Sequence, residues 1–423
     1  MTTATARKPE AETPFSAAAA AAAIDDLVAS ARRMRPMLRE QQDDAEARRY
    51  PSHEIYDAFK AAGFFRALTP RRFGGYEISL SDYYTLIMEI AQGCPSTGWW
   101  YALGAAHVVQ IASYFPPETQ ERILGDAPDF SAPWSFNSFD SRYERVEGGW
   151  RVTGTWAFSS GIPHATYFMA GGELPDQRGA LSGESIWKTP ALTIVVPQGQ
   201  FTMLDDWGSI LGMKASGSHS GRVENVFVPD AMTLIMDRSA PIEGMTHGGR
   251  LHGNPLYNGL MNGFVEGGLA AMATGTCYAA IDAFVETITR RAVGKTNVMR
   301  AKDKDYQRAL GLALANADAA KAIVLRGGDL YHAYSAEAMN GVAPFSLERG
   351  LRMDGAYHIA ERMMWTTVTE LCRNAGSGAL RDGQKLQRYF RDVTTLCTRT
   401  GQIDHRAPDI AVEYLTNRGV DLS

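Results

Sequence analysis

A chain of 423 residues, 45% hydrophobic and 21% charged, carries enough apolar side chain for two or three domains with sizeable cores, which excludes disordered and fibrous classes. Its formal net charge of -5 gives no overall attraction to nucleic acid or to an anionic lipid surface, so any phosphate-bearing ligand has to be met by a local group of Arg or Lys. The expected partners are small molecules and other copies of the chain.

Residues 1–16 are polar, and the alanine run that follows is too short and too weakly apolar for a membrane span or a secretory signal, so 1–23 reads as a frayed tail. From 24 to 129 the apolar period is helical, which predicts an N-terminal helical domain. Ile24, Leu27 and Val28 recur at helix spacing, and Ile55, Phe59 and Ala62 repeat the pattern after the break at Pro51-Ser52. A helix over 83–91 is predicted with Ser81 or Asp82 as its N-cap, because either side chain can accept from a free backbone N–H. Cys94-Pro95-Ser96-Thr97-Gly98 then reads as a break before one apolar helix over 99–114.

From 130 to 240 the period becomes two, with short β-branched and aromatic runs at 150–153, 192–196 and 223–228, which predicts a central β-domain. The polar, Gly-rich stretch 172–188 reads as a surface excursion between strands. From 241 to 423 the helical period returns, with long segments at 262–291, 306–335, 346–373 and 384–399. Cys94, Cys277, Cys372 and Cys397 stand far apart without Cys-x-x-Cys or Cys/His spacing. They read as reduced, buried thiols of a cytoplasmic protein, with no metal site expected.

Common nucleotide and hydrolase signatures are missing: no GxGxxG, no GxSxG, no HExxH, and Gly294-Lys295-Thr296 lacks the earlier glycine of a phosphate loop. Two blocks stand out instead. In Gly154-x-Trp156-x-Phe158-x-Ser160-Gly161 a hydroxyl and a glycine fall at the expected mouth of a β-hairpin, where a flat apolar ring could lie against backbone. The bland alternative is a tight turn with a capping serine. In Leu211-Gly212-Met213-Lys214-Ala215-Ser216-Gly217-Ser218 small residues, Ser216, Ser218 and the charge of Lys214 suit a ribityl or phosphate group, or simply a Gly-Ser loop.

Together with the helical–β–helical order, Phe73-Gly74-Gly75, Cys94-Pro95-Ser96-Thr97-Gly98-Trp99 and Leu386-Gln387-Arg388-Tyr389-Phe390-Arg391-Asp392, these blocks resemble the acyl-CoA dehydrogenase fold over about 24–412. That α+β architecture has an N-terminal helical domain, a central β-barrel-like domain and a C-terminal four-helix bundle. Within it the chain most resembles the oxygenase components of two-component flavin-dependent monooxygenases. The dehydrogenases' catalytic glutamate has no counterpart after Arg391-Asp392, which disfavours thioester dehydrogenation.

The resemblance implies reduced FMN, with FAD as the alternative, supplied by a separate NAD(P)H-dependent flavin reductase. Oxygen would add at the flavin C4a carbon, and the distal oxygen would pass to an aromatic or phenolic substrate. Nitrogen or sulfur oxygenation of the same fold, or an acyl-CoA dehydrogenase-like flavoenzyme, is the alternative. Ser160 is the expected partner of flavin N5 and Gly161 the point of backbone approach, with Phe158 beside them. The loop Trp134, Ser135, Phe136 and Asn137 is expected at the flavin edge.

His107 matches the first of two histidines frequent in these oxygenases and would bond substrate or act as base. Arg399 stands where the second is expected, and His405 is the possible replacement. Arg388 and Arg391, three apart on one helix face, would either reach a flavin phosphate from a neighbouring subunit or form an inter-helix salt bridge. Trp100, Tyr101, Trp134 and Tyr257 are the candidate substrate-lining aromatics. A homotetramer is expected, from the apolar surface of the helical bundle and from the resemblance.

Overall fold

The computed structural model describes residues 17–125, 129–138, 140–174, 190–237, 239–398 and 403–422. Seven helices come first: α1 (Ala17–Glu40), α2 (Gln42–Arg48), α3 (His53–Ala61), α4 (Leu80–Gly93), α5 (Pro95–Ala106), α6 (Val108–Tyr114) and α7 (Pro117–Leu124). Ser52 caps α3 by accepting from Ile55 N–H. The cap of α4 is Ser79, not Ser81 or Asp82: its Oγ accepts from Asp82 N–H at 3.1 Å and donates to the Asp82 carboxylate at 2.6 Å. Ser81 already lies inside the helix and donates to Leu325 O, because fully buried Leu80 must open the helix to reach the core.

The break at 94–98 is confined to Cys94, since Pro95 begins α5 where a missing N–H costs nothing. The single helix expected over 99–114 is divided at His107. Ala132 N–H donates to Gly104 O at 2.9 Å, engaging the carbonyl that Val108 N–H would use in an unbroken helix.

Strands β1 (Trp134–Ser135), β2 (Arg142–Val146), β3 (Gly149–Trp156), β4 (Tyr167–Glu173), β5 (Ala191–Pro197), β6 (Thr202–Met203), β7 (Gly221–Pro229) and β8 (Thr233–Met236) form two four-stranded sheets, ordered β1-β4-β5-β8 and β2-β3-β7-β6. All pairings are antiparallel except β1 with β4. β3 alternates buried and open positions as a one-sided strand does, whereas β5 is buried from Ala191 to Val196. The expected hairpin at 152–170 does not exist: β3 and β4 belong to different sheets, and the segment between them is a corner joining the two. Of the excursion predicted at 172–188, Gly172 and Glu173 close β4 and residues 175–189 lie outside the described residues.

The remaining helices are α8 (His247–His252), α9 (Val265–Arg290), α10 (Lys304–Met339), α11 (Leu347–Ala375), α12 (Lys385–Cys397) and α13 (Ile403–Thr416). Ser346 and Asp303 cap α11 and α10. α9 is apolar and long enough to cross a membrane by composition, yet 83% of its most apolar window is buried in the protein. It is the bundle's central helix, packed by α10, α11, α12 and also α4. α12 stops at Cys397, and Arg399 lies outside the described residues. All four cysteines are free and buried.

Candidate active site

The corner after β3 is built from backbone that most residues avoid. Phe158 sits at φ +56° and Gly161 at φ +96°, and Phe158 is 58% exposed, a costly combination for an aromatic residue. Beneath it, Trp99 on α5 donates its Nε1–H to Ser160 Oγ at 2.8 Å. Ser160 Oγ lies 2.7 Å from Ser218 Oγ, which lies 2.8 Å from Ser216 Oγ. An indole N–H can only donate, so Ser160 accepts from Trp99 and its own proton stays available to Ser218 or to a ligand.

These groups line a cavity of about 560 Å³ whose other walls include Leu103, Asn137, Trp207, Ile210, Met213, Thr395, Leu396 and Thr398. The 211–218 block is clamped to α12: Gly212 N–H donates to Thr395 Oγ1 at 2.8 Å, and Met213 N–H to Asp392 Oδ1 at 2.6 Å. Burial raises the Asp392 carboxyl to about 6, against the pull of the Met213 amide. The Asp of the Arg391-Asp392 pair thus accepts the Met213 amide and, with Thr395, holds the cavity wall in place.

Leu103 also borders a second cavity of about 170 Å³, lined by His107, Trp134, Phe136, Met261, Asn262, Val265, Glu266 and Asp354. His107 is buried and its Nδ1 lies 2.8 Å from Ala132 O. A carbonyl only accepts, so Nδ1 carries the proton and Nε2 is left as a lone-pair acceptor. Burial lowers the imidazole to about 4, which keeps it neutral near pH 7. Trp134 packs edge-on against it, with ring centroids 5.6 Å apart.

Other expected residues are elsewhere. Trp100 donates to Pro163 O, Tyr101 to Phe64 O and Tyr257 to Leu68 O; all three are buried core residues, outside the lining of either cavity. Gly161 packs against a helix: a Cβ there would meet Gly104 Cα at 3.0 Å. Ser135 donates to Ala157 O and accepts from Asn137 N–H, bracing the loop behind the wall.

Lys214 is half-buried outside the lining residues. Arg388 bonds Gln42, Asp43 and Glu46, while Arg391 bonds Glu46, Gln387 and Leu211 O. The salt-bridge alternative therefore describes them within this chain, where they tie α12 to α2. His405 is exposed on α13.

Trp99, Trp207, Asn262, Glu266 and Asp354 were not anticipated. A signal for the first existed: Trp99, Leu103 and His107 recur every four residues, a single helix stripe, whereas Trp100 and Tyr101 point away from it into the core. Glu266, His358 and Glu361 also gather their polar atoms within 4.8 Å of one another, bringing α9 to a His–Glu pair spaced three apart on α11.

The larger cavity suits an isoalloxazine ring: aromatic and aliphatic walls for its faces, and a row of hydroxyls for its polar edge. Fold and site together define a flavoenzyme of the acyl-CoA dehydrogenase fold. The chain belongs to that family, matching the acyl-CoA dehydrogenase N-terminal domain over residues 23–127 and C-terminal domain over 267–401.

Within it, the chain is an oxygenase component of the flavin-dependent monooxygenase type. It is 27% identical to the flavin-dependent monooxygenase oxygenase subunit HsaA of Rhodococcus jostii, covering 85% of this chain and 90% of the relative. It is 29% identical to the FADH(2)-dependent resorcinol hydroxylase oxygenase component of a Rhizobium species, covering 83% and 84%. The crystal structure of a 3-HSA hydroxylase from Rhodococcus sp. RHA1 superposes with a TM-score of 0.81 at 24% identity, over 94% of this chain and 98% of that one.

Proposed function

We propose that this protein hydroxylates a small aromatic or phenolic molecule, using O2 and reduced flavin delivered by a separate reductase. FMN is the first choice and FAD the alternative. The observation that carries the reading is the hydroxyl chain Trp99–Ser160–Ser218–Ser216 on the wall of one cavity, separated by Leu103 from a second in which His107 holds a lone-pair acceptor. The names of two relatives, a monooxygenase subunit and a resorcinol hydroxylase component, support the substrate class.

Bound reduced flavin supplies the two electrons that activate O2. This chain's residues do the rest. Trp99, Trp207, Phe158 and Met213 keep water from the ring's surroundings. Ser160 holds a proton at the flavin edge, with Trp99 fixing the direction of its lone pair. His107 Nε2 accepts from the substrate hydroxyl and orients the ring; with its imidazole lowered to about 4 it works as a neutral acceptor more than as a proton store.

The protein is proposed to act in the cytoplasm as a homotetramer, a state supported by exposed Leu312 and Leu314 on α10 and measurable by light scattering. The function is tested by anaerobic titration with reduced FMN and FAD, followed by mixing with labelled O2 and a series of phenols. One labelled oxygen atom in a hydroxylated product is expected. Oxidation of the flavin at its free rate, with every O2 recovered as hydrogen peroxide, would refute it.

A further inference from the structure

The smaller cavity is polar in a way that ring binding leaves unexplained. Asn262 is 2% exposed and lines the cavity, yet neither its Oδ1 nor its Nδ2 has a partner among the described residues. An orphaned buried amide atom costs about 1 to 3 kcal/mol, so such a group persists where a ligand completes it. Beside it stand two carboxyls, Glu266 at the start of α9 and Asp354 on α11. Asp354 Oδ1 is held by Gly263 N–H at 2.7 Å. None of the lining residues is a Lys or Arg.

We infer that this end of the cavity selects an aromatic substrate carrying a hydrogen-bond-donating tail, an amine or alcohol, remote from its hydroxyl. The same groups exclude an arene with a carboxylate tail. Asn262, Glu266 and Asp354 are the specificity-determining residues.

The charge balance has the required sign. Glu266 and Asp354 line the cavity, and polar atoms of His358 and Glu361 lie within 4.8 Å of that of Glu266. Arg406, buried on α13, and His358 on α11 act on Asp354 as positive groups. Burial, with the neighbouring Glu266 charge, raises the Asp354 carboxyl to about 7. A carboxylate tail would add a third acidic group to a lining that already holds Glu266 and Asp354 and no Lys or Arg, whereas an ammonium or hydroxyl would donate to the Asn262 oxygen and to these carboxyls. His107, which lines the same cavity, receives the phenolic hydroxyl.

The inference rests on the oxygenase reading, and its test separates the two. Equilibrium binding to the wild-type enzyme charged with reduced flavin is measured anaerobically for tyramine, para-ethylphenol and para-hydroxyphenylacetate. Tyramine is expected to bind roughly ten-fold tighter than para-ethylphenol, and para-hydroxyphenylacetate roughly ten-fold weaker, each step being one decade in Kd. Asn262→Leu is expected to raise the melting temperature, since it removes the orphaned atoms, and to abolish the tyramine preference.

An acetate-tailed phenol binding within about three-fold of tyramine, failure of all three to bind, or a lowered melting temperature in Asn262→Leu with the preference intact would overturn the inference. Oxygenation of these phenols without any tail preference leaves the oxygenase reading standing and the selectivity refuted. The tail preference in binding without any oxygenation does the reverse.

Discussion

Gly161 and Gly104 meet where the corner between the two sheets crosses α5: a methyl group on Gly161 would lie 3.0 Å from Gly104 Cα, and one on Gly104 would lie 2.9 Å from Ser131 Oγ. With φ at +96°, Gly161 is required twice, by its own backbone and by the helix it touches. Gly161→Ala is expected to cost about 2 to 4 kcal/mol, combining left-handed strain and overpacking. It should also lower affinity for reduced flavin, because Ser160 is the preceding residue. Urea unfolding and anaerobic titration measure the two effects; a stable variant with unaltered binding would contradict this account of the corner.

Trp99 and Ser160 act as a pair. Trp99→Phe keeps the ring but removes the N–H that fixes Ser160 Oγ, a loss of about 1 kcal/mol. Ser160→Ala removes the proton donor itself. Both should divert reduced flavin from product to hydrogen peroxide, Ser160→Ala by at least several-fold more than Trp99→Phe. The ratio of hydroxylated product to peroxide is the measurement, and equal coupling in wild type and both variants would remove Ser160 from the mechanism.

The burial of His107 gives a pH signature. Its imidazole is lowered to about 4 in the folded protein from an ordinary 6.5, so between those values the unfolded chain binds the extra proton and stability falls as pH drops. Above pH 6.5 the effect is absent. Comparing wild type with His107→Gln, which does not titrate, the stability difference should shift by about 2 to 3 kcal/mol between pH 7.5 and pH 4.5. Denaturant curves at the two pH values decide it, and a constant difference would show that His107 is not held neutral.

The Arg388 guanidinium is mostly buried among Gln42, Asp43 and Glu46. Arg388→Met should destabilise by about 1 to 3 kcal/mol, by removing the bonds to Gln42 and Asp43 and one of the two guanidiniums on Glu46, and leave affinity for reduced FMN within about two-fold. A large loss of FMN affinity at unchanged stability would restore the phosphate-binding role that the residue spacing also allowed.

Local chemistry was legible along the chain. Period three to four against period two marks the helical and β regions, because a helix or strand buries one face whatever it packs against. The hydroxyl-rich blocks around Ser160 and Ser216–Ser218, and the lone His107, are visible by residue type. Partnership was not legible. That β3 and β4 belong to separate sheets, so that Ser160 sits on a corner and not in a hairpin, depends on strand pairing across distant segments.

The union of His107 with Asn262, Glu266 and Asp354 depends likewise on how α5, α9 and α11 pack. Trp100, Tyr101 and Tyr257 show the same limit from the other side: an aromatic residue looks alike in sequence whether it faces a cavity or the core. Sequence periodicity records which face of an element avoids water. Only the packing of elements against one another determines which of those hidden faces closes a core and which encloses a site.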